Sequence, residues 1–291
     1  MKTPICIFSY KRKTELEKTL QSLRHCIDVE QYPIYIFSDN AKSPDEIEDV
    51  KEVRDYINEL DYLNFKEIFF AHENKGLANS IIDGVSQIIS KYGKVIVLED
   101  DLIVAPNFLQ FMESALDYYK DHKEVFSISG YSPKLATLEN YNKDFYFSPR
   151  ASSWGWATWK DRWDTVDWEV KTYSKFRHNL FEQWRFTKGG IDLPGMLRDQ
   201  MVGKINSWAI RWVYQQFLNN QITVYPKISK VRNIGFGQNA THTKKTIRFN
   251  TVIDEGDQTE FEFEEFDTFD QVLLKEFRST FSIWRRFLDR L

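Results

Sequence analysis

The run Lys94 to Leu98 (KVIVL) shows no alternation of polar and apolar residues, and it stops at three consecutive acids, Glu99-Asp100-Asp101. A strand with one wet face alternates. A strand without a polar face has to be covered on both sides, as in a parallel sheet flanked by helices. The rest of the N-terminal half obeys that constraint. Pro4 to Ser9 (PICIFS) is another short apolar run, and Leu16, Leu20, Leu23 and Ile27 follow it at helical spacing. Pro33 to Ser38 (PIYIFS) repeats the strand signal. Ser43-Pro44 then opens a helix, with Ser as N-cap and Pro in the first turn, and Ile47, Val50, Ile57 and Leu60 form its apolar side. Phe65 to Ala71 reads as a third strand, and Gly76 leads a helix with a stripe of Leu77, Ile81, Val85 and Ile88. After KVIVL, Pro106 starts a helix carrying Phe108, Met112, Ala115 and Tyr119, and Val125 to Ser129 is a fifth strand.

Five strand-helix alternations predict an α/β fold, doubly wound around a mostly parallel sheet with right-handed crossovers. Ligands of such sheets bind beyond the carboxyl ends of the strands. Asp39, the 72–76 turn and Glu99-Asp100-Asp101 all fall at those ends. The alternation breaks down near residue 131, so the expected organisation is an α/β core at 1–130 and a second lobe at 131–250, followed by an acidic segment with a C-terminal amphipathic helix at 251–291. Nine acids surround Phe261, Phe263 and Phe266 between residues 254 and 270, which reads as an exposed loop or edge strand. Phe277, Phe281, Trp284, Leu288 and Leu291 share one stripe of the last helix, flanked by arginines. That pattern suits a docking helix, a dimer contact or an anionic membrane surface.

A formal charge of −4 gives no global attraction to nucleic acid, and none is expected as a partner. Cys6 and Cys26 are too few for a disulfide framework or a zinc site, which points to a reducing, cytoplasmic setting, peripheral to the membrane at most. No run of apolar residues is long enough to span a bilayer. Six of the nine Trp lie between Trp154 and Trp184, and aromatic faces either fill cores or stack on sugar rings.

Adjacent carboxylates at the end of a buried strand repel one another and are costly to desolvate, so they need a cation or a solvent-facing turn. Hard ions such as Mg²⁺ and Mn²⁺ prefer such oxygen ligands and can share them with a diphosphate, whose charge they neutralise as a leaving group departs. The plainer alternative is that Asp100 or Asp101 caps the Pro106 region.

The segment LEDDLIVAPNFLQFM, residues 98–112, resembles the acidic donor-site segment of the N-acetylglucosaminyltransferase family that initiates complex N-glycans. Strand one with Lys11-Arg12 is similar to that family's opening strand with its donor-contacting Arg. Ser38-Asp39 matches the position of its uracil-contacting Asp, and HENKGLA (72–78), with Lys75 and Gly76, a further donor-contacting turn. SSWGW (152–156) resembles the acceptor-side Gly-Trp segment, and YPKISK (225–230) followed by Gly235-Phe236-Gly237 the approach to a donor-closing loop. In size the chain also resembles microbial glycosyltransferases of surface polysaccharides. The resemblance implies a GT-A type Rossmann-like fold, a UDP-sugar donor, Mn²⁺ or Mg²⁺, inversion at the anomeric carbon, and a glycan or lipid-linked glycan acceptor. It also implies that the 1–130 core binds the nucleotide-sugar and that the 131–250 lobe is the acceptor side with a donor-closing loop. It makes Asp101 the direct metal ligand and sets Asp100 and Glu99 on ribose and donor-sugar hydroxyls; His242, after the Gly-Phe-Gly turn, suits either a second metal ligand, as in some GT-A enzymes, or an ordinary loop histidine. Arg12 and Asp39 would hold the nucleotide, with Trp154, Trp156 and Trp208 on the acceptor side.

One position departs from the pattern. Where the resemblance calls for a general-base Asp after Trp208, this chain has Ala209. A carboxylate that takes the acceptor proton is worth roughly 10²- to 10⁴-fold. Asp199 in MLRDQMVGKINSW is the nominated substitute, ahead of Asp192 and Asp161. Arg211 in SWAIRW suits either donor phosphate or a structural ion pair. Two other classes stay open: a carbohydrate-binding relative without turnover, favoured by Ala209, and a sugar nucleotidyltransferase. The latter needs a Gly-rich phosphate loop after strand one, and Phe8-Ser9-Tyr10-Lys11-Arg12 is not one.

Overall fold

The computed structural model describes residues 1–63, 65–235 and 249–282. In chain order its elements are β1 (Ile5–Ser9), α1 (Lys13–Arg24), β2 (Ile34–Ser38), α2 (Ile47–Glu59), β3 (Phe65–Phe70), α3 (Gly76–Tyr92), β4 (Lys94–Glu99), β5 (Leu102–Val104), α4 (Phe108–Tyr119) and β6 (Val125–Ser129). There follow β7 (Phe145–Ser148), β8 (Trp156–Trp159), α5 (Lys160–Trp163), α6 (Tyr173–Phe176), α7 (Leu180–Phe186), α8 (Leu193–Met201), α9 (Trp208–Leu218), β9 (Ile222–Pro226), β10 (Val231–Asn233) and α10 (Gln271–Thr280).

Eight strands form one sheet in the order β3-β2-β1-β4-β8-β6-β9-β7. β1, β2, β3 and β4 pair in parallel, as do β6 and β9, while β7 and β8 run against their neighbours. The sheet is therefore mostly parallel, as the buried runs require, and all five expected strands are present. Val95 to Leu98 are completely buried because both faces are covered. Ile5, Ile7, Ile96 and Leu98 meet α1 and α4 on one face, and Cys6, Phe8, Val95 and Val97 meet α3 and the α9 layer on the other. The two cysteines are free and buried.

The 131–250 stretch adds β7, β8 and β9 to this same sheet, with β8 inserted between β4 and β6, and carries α5 to α9 outside it. The acidic stretch after Asp254 is an irregular strap whose Phe261, Phe263 and Phe266 lie against the first core. It is pinned where Lys230 meets Asp254 at 2.5 Å, both buried or nearly so. Two expectations need correction. Ser43 precedes its helix but its hydroxyl makes no cap hydrogen bond. In the C-terminal stripe, Phe277 and Phe281 are buried against Tyr146 and Tyr225, so these two are core and not a membrane face; Trp284, Leu288 and Leu291 lie outside the described residues. Among the described residues no helix is long and apolar enough to cross a membrane.

Candidate active site at the carboxyl ends of the central strands

Strand register aligns the ends that matter. Ser9 of β1 stands beside Ser38 of β2, and Phe8 beside Glu99 of β4, so the residues just beyond each strand share one ledge. Tyr10 to Arg12, Asp39 and Glu99 to Asp101 emerge there. A second, two-stranded sheet pairs β10 with β5, Asn233 opposite Leu102, and so lays residues 233–235 across Asp101.

Arg12 is the hub. Its guanidinium bridges Asp100 and Asp101, the latter at 2.9 Å, with side chains largely enclosed. Burial alone would lower its pKa, but the two carboxylates overcome that and drive it upward, which fixes the charge. Asp100 also accepts the Tyr10 N–H at 3.2 Å, and its backbone carbonyl accepts the Thr19 hydroxyl, which in turn accepts the Leu102 N–H. Thr19 thus splints the turn between β4 and β5. Asp101 accepts from Asn233 Nδ2 at 3.3 Å, and its carbonyl accepts the Ile234 N–H at 2.8 Å. Gly235 comes so close that a Cβ would overlap Oδ2 of Asp101 and lie 3.0 Å from an Arg12 nitrogen.

Three carboxylates face one guanidinium. Burial pushes Asp100 up to about 6 against the pull of Arg12, and burial together with Asp101 and Asp100 pushes Glu99 well above the carboxylate range. The Glu99 side chain has no hydrogen-bond partner among the described residues. An oxygen-only donor set with unbalanced negative charge suits a hard divalent cation. Among the described residues no group of three or more His, Cys, Asp or Glu side chains converges on a metal position. His242, expected as a second ligand, lies outside the described residues, as do Phe236 and Gly237.

Asp39 is positioned as expected but already engaged. Its Oδ1 accepts the N–H groups of Asn40 and Lys75, and its Oδ2 those of Gly76 and the Asn74 side chain, at 2.9 to 3.2 Å. The carboxylate therefore caps the start of α3 from a neighbouring strand, satisfying N–H groups that the helix leaves open. Gly76 takes φ +73°, a left-handed conformation that lets its N–H point at Asp39. The Lys75 ammonium turns away to Asp83. Beside this turn, Glu46 binds Lys11 and the Tyr10 hydroxyl; Lys11 and Tyr10 hold it down to about 2, while burial and the Glu46 bond raise Tyr10 to about 12.

The tryptophans divide. Trp156 and Trp208 are buried in a cluster with Trp163 and Trp212, ring centroids 4.3 to 5.7 Å apart, so neither offers a face to an acceptor. Trp154 is half-buried, edge-on to Tyr131 and Phe249, and lines a cavity of about 170 Å³ that Ala209 and Arg150 also reach. Arg211 is used internally, donating to the carbonyls of Ser207 and Trp168 and to Asn206, and among the described residues it meets no carboxylate. Of the candidate bases, Asp161 pairs with Lys123 and Arg162 at the amino-terminal end of β6, opposite the site. Asp192 is buried in a two-point pair with Arg150. Asp199 ends α8, partly exposed, with Arg198 and Lys204 each at 3.5 Å.

Asn233 and the Tyr10-Glu46-Lys11 knot leave no mark in the sequence pattern. Thr19 does leave one, as a polar residue among Leu16, Leu20 and Leu23 on an otherwise apolar helix face.

No known family's sequence profile matches the chain, and no curated protein matches it in sequence. Solved structures overlap it loosely. A mannosyltransferase from Pyrobaculum calidifontis, in complex with GDP-mannose and Mn²⁺, is 11% identical over 55% of this chain and 46% of its own, with a TM-score of 0.36. Residues 1–349 of S. aureus TarS are 11% identical over 78% of this chain and 60% of that one, TM-score 0.40. A UDP-glucose pyrophosphorylase complexed with UDP-glucose is 12% identical, covering 77% and 90%, TM-score 0.36. The chain thus spans about half the length of the mannosyltransferase and three-fifths of the TarS fragment. Overlaps this loose carry no argument about activity, and the α/β assignment rests on the strand order itself.

Proposed function

We propose that the chain is a metal-dependent glycosyltransferase that moves a sugar from a UDP-sugar to a glycan or lipid-linked glycan, with inversion. The observation that carries this reading is the ledge where Glu99, Asp100 and Asp101 outnumber Arg12 at the aligned ends of β1 and β4. The resemblance of residues 98–112 to a donor-site segment adds to it.

In this reading Asp101 holds Mn²⁺ or Mg²⁺, with His242 as a further ligand, and Glu99 and Asp100 face ribose and donor-sugar hydroxyls. When bound, the ion neutralises charge on the departing nucleoside diphosphate. The chain's own residues do the positioning. Arg12 pairs with both aspartates and orients them. Asp39 fixes the 74–76 turn at the nucleotide's side of the ledge. Residues 233–235 cover Asp101 and lead into a segment suited to excluding water, which protects a donor from hydrolysis. Trp154 and its cavity are the acceptor's place.

Asp199 is the acid we assign to accept the acceptor proton. Asp199→Asn then lowers turnover by about 10²-fold or more with donor affinity retained, and unchanged turnover removes the assignment. Ala209, at the edge of the Trp154 cavity, favours a second reading, a sugar-binding protein without turnover.

A thermal-shift screen of UDP-, GDP- and dTDP-sugars, with Mn²⁺ or chelator, tests the proposal, since a ligand of the folded state raises the melting temperature. A Mn²⁺-dependent rise with one nucleotide class is expected, abolished in Asp101→Asn. No shift with any donor refutes the reading. A shift without release of nucleoside diphosphate selects the non-catalytic alternative.

A further inference from the structure

Helix α7 turns apolar side chains outward. Leu180 is 79% exposed, Phe181 63% and Trp184 59%, and the Phe181 and Trp184 rings stack with centroids 5.8 Å apart, so the three make one continuous surface. The inner side of the helix is occupied as usual, Phe186 packing on Phe176, Tyr214 and Phe217. The helix is therefore apolar on two sides, and a helix of that kind normally has something on both.

The charges around the patch say what kind of surface the outer side suits. Lys175, Arg177 and Lys188 are exposed and meet no carboxylate among the described residues; Arg177 Nε donates to the neighbouring His178 Nε2 at 2.9 Å, and the Lys188 ammonium sits 5.7 Å from the Trp184 ring centre. The Arg177 backbone carbonyl is tied to α7 by Gln183 at 3.0 Å, which holds that residue beside the helix. Glu182, the acid within α7, is neutralised by Arg185 at 2.9 Å. Across residues 171–204 seven Lys and Arg stand against three acids, in a chain whose formal charge is −4. Exposed aromatic and aliphatic side chains accompanied by cations that no carboxylate neutralises are the composition that seats on a lipid headgroup layer.

We propose that α7, with Lys175, Arg177 and Lys188 at its rim, is a docking surface for an anionic lipid bilayer. The apolar side chains insert at the headgroup level and the cations meet lipid phosphates. Each basic residue near such a surface strengthens binding roughly fivefold. The inference stands apart from the proposed reaction and from the C-terminal stripe.

Sedimentation of the full chain with lipid vesicles tests it. The chain should pellet with vesicles containing about one-third phosphatidylglycerol and not with phosphatidylcholine alone, and high salt should weaken the binding several-fold. Leu180→Ser combined with Phe181→Ser and Trp184→Ser should weaken binding at least tenfold with the melting temperature kept. Lys175→Glu with Lys188→Glu should do the same; if the serine variant melts early, this exposed pair decides. The proposal is overturned if the parent ignores anionic vesicles, or if both variants pellet like the parent. It is equally overturned if the parent self-associates through α7, becoming monomeric on serine substitution, and binds no vesicles.

Discussion

Replacing Arg12 by Met keeps the apolar stem and deletes the charge, leaving Glu99, Asp100 and Asp101 together without their counter-ion. Removing one partner of a buried ion pair costs about 3–5 kcal/mol, most of it from the charge left behind. Here the Arg12 side chain keeps 18% of its exposure and Asp101 12%, so water screens part of the loss and the lower end, about 3 kcal/mol, applies at pH 8. For a chain of this size each kcal/mol lowers the melting temperature by roughly 2 °C, giving a drop of about 6 °C.

The pH dependence separates this cause from lost packing. Asp100 already titrates at about 6 in the folded protein, above its unfolded value of 3.8, and Glu99 is raised as well. A raised carboxyl contributes stability that is present below the unfolded pKa and is lost as pH rises through the folded one. Without Arg12 the folded values rise further, so the variant gains more than the parent on acidification from pH 8 to pH 5. The deficit should shrink to less than half at pH 5, measured by calorimetry of both proteins in chelator-containing buffer. A deficit equal at the two pH values, or below about 1 °C at pH 8, refutes the charge argument.

Gly235→Ala forces residues 234–235 off Asp101, because the added methyl overlaps the carboxylate; an overpacking cost of about 1–3 kcal/mol in urea unfolding is expected, with donor affinity by calorimetric titration falling about tenfold. Trp156→Ala should cost about 3–5 kcal/mol in the same unfolding assay because the ring is fully buried. Trp154→Ala should cost under about 2 kcal/mol yet raise the acceptor KM, and equal stability losses for the two would contradict their different burial.

β1, β2 and β4 were legible because each is a local fact: a short apolar run, covered on both faces, ended by polar residues. β8 was not. Its WATW carries no alternation of its own, and its insertion between β4 and β6 is decided by partners some 30 to 60 residues away. The same limit governed the tryptophans and Arg211. A Trp-rich stretch reads alike whether its rings face a core or a cleft, and only the packing of α9 on β8 turned Trp156 and Trp208 inward. Arg211 reads as a free cation until Ser207, Trp168 and Asn206 take its donors.

At the site the divide falls between where a carboxylate sits and how many of its lone pairs are left. Strand ends determine position, so Asp39, Asp100 and Asp101 could be placed on the ledge from sequence. Occupancy is set by distant backbone. The turn at Asn74 to Gly76 delivers three donors to Asp39, and Asn40 supplies a fourth, which fills both oxygens. Glu99 receives none among the described residues. Two acids two residues apart in register, at the ends of the strands that flank β1, therefore have opposite chemistry: Asp39 is satisfied internally and holds a turn in place, whereas Glu99 keeps its oxygens open to a hydrogen-bond donor or a cation. A ligand relieves the second and gains little from the first, so binding energy concentrates at β4, on the carboxylates that the protein leaves uncompensated.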